Sequence, residues 1–254
     1  EERALKEKNY NLELIRMISF IFVIVIHVSN YYCRAYGDIT IGEYSFSLLL
    51  NLLARISVPC FFMITGALLL GRQESLHKHA KRIFRFLIVL LVWSVIYMIW
   101  NAVYMKDSYQ IKDLLYKPVE QHLWYLYAMI PIYLVLPFFQ VMCKGMNLRM
   151  ERAFLVVITA AVLFNYISTF FDEKMYYSVP MVGDRIYSYY VFIGYYIYKY
   201  RKHVMKGKMI PAGIFVVCMA LNYGLTYAAT LQDGEHYERL LELSLIHISE
   251  PTRL

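Results

Sequence analysis

The sequence predicts an all-α fold, a polytopic bundle of transmembrane helices, and three observations predict it. Hydrophobic residues fill 59% of the 254 positions and charged residues only 18%, below the roughly 25% charge of soluble domains. The apolar residues fall in runs close to the ~20 residues that a helix needs to cross the hydrocarbon core. The 25 tyrosines and 15 phenylalanines are more than a soluble core uses, whereas membrane proteins place aromatic rings at both water interfaces.

Seven runs qualify, at about 12–32, 46–70, 83–104, 123–143, 153–171, 186–200 and 209–231. The first is too long for the apolar region of a secretory signal and no small-x-small cleavage pattern follows it, so it is expected to stay in the mature protein. In the second, Pro59 predicts a kink and Gly66 a close helix contact. The third follows the basic stretch HKHAKRIFRFL, and the fourth opens on EQHLWYLYAMIP, where Trp124 marks a membrane interface. The fifth is plainly apolar. The sixth, RIYSYYVFIGYYIYKY, is short, and its tyrosine hydroxyls need partners in lipid, which places it inside the bundle or at an interface. The seventh is apolar again. No repeat, linker or low-complexity tract interrupts the pattern, so residues 1–242 read as one membrane domain.

Residues 243–254 contain LSLIHISEPTR, which resembles the translation of a sequencing-library adapter, and are set aside from fold reasoning. On this reading the natural sequence stops near Glu242 and about seven spans of a longer bundle are present.

Lysine and arginine counts orient the runs, because cytoplasmic loops are the basic ones. With the N-terminus inside, sixteen fall in the tail and inner loops and seven in the outer loops. The expected topology is therefore multi-pass with a cytoplasmic N-terminus. The net charge of +7 lies in short clusters between apolar runs, a membrane-orienting pattern that speaks against nucleic acid as a partner. Cys33, Cys60, Cys143 and Cys218 are widely spaced and suggest neither a disulfide framework nor a metal site.

Titratable groups inside the spans are the functional candidates, since each costs a few kcal/mol at the bilayer centre. Arg16 and His27 lie eleven residues apart, about three helical turns and roughly 16 Å, on one face of the first helix. Glu13 and Asn30 extend that polar seam at spacings of three. A structural histidine between helices, or an arginine snorkelling to lipid phosphate, are the plain alternatives. Arg55 stands in mid-span, too deep to snorkel, and must face a cavity or a partner. Arg82 and Arg85, one turn apart, suit phosphate oxygens, although a topology signal in contact with anionic lipid explains them equally well. Near the start of the fourth run, His122 beside Trp124 adds a second proton carrier at the surface.

In their order along the chain, these residues resemble the acyltransferase 3 family of bacterial membrane proteins. RMISFIFVIVIH carries the family's basic residue followed eleven positions later by histidine. Arg55, Val58, Pro59, Phe61, Phe62 and Gly66 match its second block, with Thr65 where serine is usual. Arg82 and Arg85 match its paired basic residues. HLWYL, from His122 to Leu126, is similar to His-Leu-Trp-Phe-Leu, and FIGYYIYK to a later Gly-Tyr-Tyr block.

The resemblance implies about ten membrane helices in a bacterial inner membrane. It also implies transfer of an acyl group, with acetyl expected, from cytoplasmic acyl-CoA to a hydroxyl of an extracytoplasmic carbohydrate or lipid-linked glycan, with no metal. Arg82 and Arg85 would hold the CoA phosphates, assisted by Arg16. His27, kept neutral by burial, would serve as general base or as acyl-carrying nucleophile, and Arg55 would face the oxyanion. His122 and Trp124 would line the acceptor entrance. The alternative is a transporter or lipid-linked glycan flippase, in which Arg16, His27 and Arg55 line a permeation path.

Overall fold

The structure, a computed structural model, describes residues 10–72, 74–106, 111–170, 187–204 and 209–237; the adapter-like tail lies outside them. Helices follow one another without a strand among the described residues: α1 (Tyr10–Arg34), α2 (Ile41–Ala54), α3 (Ser57–Leu69), α4 (Leu76–Trp100), α5 (Trp124–Gly145), α6 (Leu148–Phe170), α7 (Tyr187–Lys199), the single turn α8 (Arg201–Val204) and α9 (Met209–Asp233). Among the described residues, five stretches are long and apolar enough to cross a membrane: Tyr10–Arg34, Ile41–Leu69, Leu76–Met105, Trp124–Gly145 and Pro211–Asp233. This is an all-α membrane bundle. The described residues divide into two compact units, one of 10–68 together with those between 153 and 237, the other of those within Leu69–Arg152.

In the first unit, α1 turns its Ser19, Ser29 and Cys33 inward, and the turn to α2 uses Gly37 at a φ of 100°. The second apolar run starts earlier than its hydropathy suggests. Thr40 accepts the Glu43 N–H at 3.3 Å, and Glu43 Oε2 accepts the Thr40 N–H at 2.9 Å, a reciprocal cap that begins α2 at Ile41. The expected single helix over 46–70 is in fact two. Pro59 lacks the N–H that would bond the Arg55 carbonyl one turn back, and its ring crowds that carbonyl, so α2 ends at Ala54 and α3 begins at Ser57.

Two glycines bring α3 against α7. A Cβ on Gly66 would lie 1.8 Å from the Val191 carbonyl oxygen, and one on Gly194 would lie 2.1 Å from that of Met63; the backbones touch where no side chain intervenes. Phe62 and Tyr187 stack beside this contact with ring centres 4.9 Å apart. The 13 described residues of α7 make a helix about 20 Å long. Around Cys33, Tyr44, Leu48 and Leu52, α2 packs on α1 and α9. Tyr44 exchanges hydrogen bonds with Thr230 Oγ1 at 2.8 Å and His236 Nδ1 at 3.0 Å. Gly234, at a φ of 73°, closes α9 in the left-handed conformation that favours glycine.

The second unit pairs α4 with α5. The basic stretch before the third run is itself helical, so α4 begins at Leu76 rather than near 83. Its far end passes into a π-helical turn, Asn101–Met105, a local irregularity common near functional sites. Phe86 on α4 meets Tyr133 on α5 with ring centres 4.8 Å apart.

Candidate functional site

The polar residues of the first unit begin with an ion pair. Arg16 Nη1 reaches both carboxylate oxygens of Glu13 at 2.9 Å. The two side chains keep 42% and 39% of their surface exposed, so the pair neutralises charge and adds little stability. His27 lies on the exposed side of α1. Ser29 lies on the enclosed stripe of α1, and two residues at 100° each turn His27 to the opposite side.

Arg55 sits at the break between α2 and α3, half-buried. Its Nε–H donates to Asn51 Oδ1 at 2.7 Å. Asn51 is fully enclosed, and its amide nitrogen donates to Ser29 Oγ at 3.1 Å and to the Ile26 carbonyl at 3.4 Å. Ser29 closes the chain through its own hydroxyl, which donates to the Val25 carbonyl at 2.7 Å. Arg55 is thus tied through Asn51 to α1, on the side of that helix where Ser29 is enclosed. Asn51 and Ser29 were passed over in the sequence; the readable sign was the i,i+4 spacing of Asn51 and Arg55, which puts them on one helical face.

The second unit carries the other candidates. Arg82 donates to Glu74 Oε2 at 2.7 Å and lies 5.9 Å from the centre of the Tyr133 ring, a cation–π distance. Arg85, one turn on, is exposed. Next to Arg82, His79 Nε2 meets Gln140 Oε1 at 3.3 Å; neither residue was singled out from sequence. At the other end of α4, the exposed His122 sets its ring edge to face against Tyr97, centres 4.9 Å apart, and Asn101 donates to Glu120 at 2.9 Å. Trp124 opens α5 with its ring 6.2 Å from that of Tyr125.

Apolar helices with hydrogen-bonded polar side chains built between them define an integral membrane protein with a polar interior. The acyltransferase domain of the acyltransferase 3 family matches residues 9–247, nearly the whole chain, and the protein belongs to that family. It is a membrane acyltransferase. No curated protein and no solved structure matches the chain.

Proposed function

We propose that the protein moves an acyl group, acetyl in the simplest case, from acyl-CoA on the cytoplasmic side of a bacterial inner membrane to a hydroxyl of an extracytoplasmic carbohydrate or lipid-linked glycan. The hydrogen-bond chain Arg55–Asn51–Ser29 carries this reading. It ties Arg55 to α1, the helix that bears His27, and gives the guanidinium the fixed direction that an oxyanion partner requires.

In the proposed reaction His27 takes the proton of the acceptor hydroxyl as that oxygen attacks the thioester carbonyl. Arg55 faces the negative charge that builds on the carbonyl oxygen. Collapse of the tetrahedral intermediate expels the CoA thiolate, which recovers the proton from the imidazolium, leaving an ester and free CoA. Arg82 and Arg85 hold donor phosphates at the basic end of α4. His122, Tyr97 and Trp124 offer ring faces to a sugar at the opposite end of α4 and the start of α5.

The test is incubation of membrane vesicles containing the protein with acetyl-CoA labelled in the acetyl group. Label on a carbohydrate acceptor supports the reading. Acceptor translocation without acylation would replace it with the transport alternative, and stable label on His27 would make the histidine a nucleophile instead of a base.

A further inference from the structure

The far end of α4 is joined to the segment before α5 by two side-chain contacts on successive turns. Tyr97 and His122 meet edge to face, with ring centres 4.9 Å apart. One turn further along, Asn101 Nδ2 donates to Glu120 Oε1 at 2.9 Å. From Tyr97 to Asn101 the helix rises roughly 6 Å, and Glu120 lies two positions before His122. The ring contact and the polar contact therefore stand side by side, within the span of one pyranose. At Asn101 itself α4 widens into its π-helical turn, an irregularity frequent at functional sites.

The polar pair keeps hydrogen-bonding capacity in reserve. A carboxylate only accepts, so the Asn101 amide must turn its nitrogen to Glu120. Glu120 Oε2, the second Asn101 N–H and Asn101 Oδ1 then make no hydrogen bond among the described residues, although both side chains are half-buried. Adjacent acceptors and a donor suit hydroxyl groups, which give and take at once, whereas an ammonium only donates and a carboxylate only accepts. Lys106, Lys112 and Lys117, on the same connection, are exposed to water and salt that screen them. A membrane-interface belt accounts for the chain's three tryptophans, Trp93, Trp100 and Trp124, which fall on the last turns of α4 and the first residue of α5. It does not account for a half-buried carboxylate tied to an amide.

We propose that Asn101 and Glu120 recognise the hydroxyls of the acceptor: together they bind an uncharged pyranose whose ring lies against Tyr97 and His122, and the Glu120 carboxylate turns away sugars that carry an acid group. Glu120 becomes the residue that sets the acceptor class, and Asn101 both binds and holds Glu120 in place. The inference rests on the carbohydrate acceptor proposed above, and the experiment keeps the two apart.

The protein in liposomes is titrated with methyl glucoside and with methyl glucuronide, which differ by the acid group at C6, and tryptophan fluorescence reports occupancy. Wild type binds the glucoside about tenfold more tightly. Glu120→Gln, which keeps an oxygen for Asn101, brings the two affinities within about threefold, chiefly by strengthening the glucuronide. Glu120→Ala narrows the gap too and serves if the glutamine variant does not fold. Asn101→Ala weakens glucoside binding about three- to tenfold. Equal wild-type affinities, binding of neither sugar, or a preference that loss of the Glu120 charge leaves intact overturns the site. Transfer of labelled acetyl judges the acceptor reading by itself: a labelled carbohydrate keeps that reading standing after the site has fallen, and its absence removes both.

Discussion

Asn51 receives the Arg55 Nε–H at 2.7 Å and passes its own amide N–H to Ser29 on α1 at 3.1 Å. A fully enclosed side chain that satisfies partners on two helices fixes both their register and the direction of the arginine. Asn51→Leu strands those partners and should cost about 1–3 kcal/mol of stability. It should also lower turnover more than it raises the KM for the donor. Asn51→Asp keeps an oxygen for Arg55 and should retain more turnover than the leucine variant. Thermal midpoints in detergent and a kcat-against-KM comparison check this, and equal turnover in the two variants would assign Asn51 a packing role alone.

The α3–α7 contact depends on two missing side chains. Gly66→Ala or Gly194→Ala would drive a methyl into carbonyl backbone at 1.8 or 2.1 Å, so the helices must separate, at about 1–3 kcal/mol or more. Gly213→Ala, whose Cβ meets open space, should be tolerated. Fluorescence-detected size exclusion after heating ranks the three variants.

Arg82 and Arg85 should separate in function. Arg82 is half-buried against Tyr133 and Glu74, so its loss removes an ordered guanidinium, and Arg82→Ala should raise the KM for acyl-CoA about tenfold. Arg85 is exposed, and Arg85→Ala should raise it less. Initial rates against donor concentration at fixed acceptor measure both, with the acceptor KM unchanged in each.

The Glu74–Arg82 pair has a pH signature of known sign. A carboxyl held low in the folded protein stabilises the fold above its unfolded value, about 4.3, and that stabilisation is lost as pH falls through the lower folded value. Thermal midpoints followed from about pH 6 to about pH 3 should therefore drop less steeply in Glu74→Gln than in wild type.

Much of this was legible in the sequence because lipid is a strict solvent. Apolar length and the scarcity of charge identify the bundle, and the Arg16–His27 spacing shows the polar edge of α1. Other features depend on partners that hydropathy does not register. Thr40 and Glu43 start α2 by capping each other, outside the apolar run. Pro59 was legible as a kink, but a full break at Arg55 needs the orphaned carbonyl counted one turn back. Which side of α1 His27 takes was not legible, because it is set by Ser29, Ser19 and Cys33 facing inward. Glu74, His79 and Gln140 were passed over, since only the fold brings α5 across the first turns of α4.

The central claim is that His27 carries the proton of acyl transfer. It is tested most directly by the single-turnover rate of labelled acetyl transfer in His27→Ala, with membrane insertion and CoA binding measured alongside. The account predicts a rate lowered about 10²- to 10⁴-fold with insertion and CoA binding intact; transfer at the wild-type rate would contradict it.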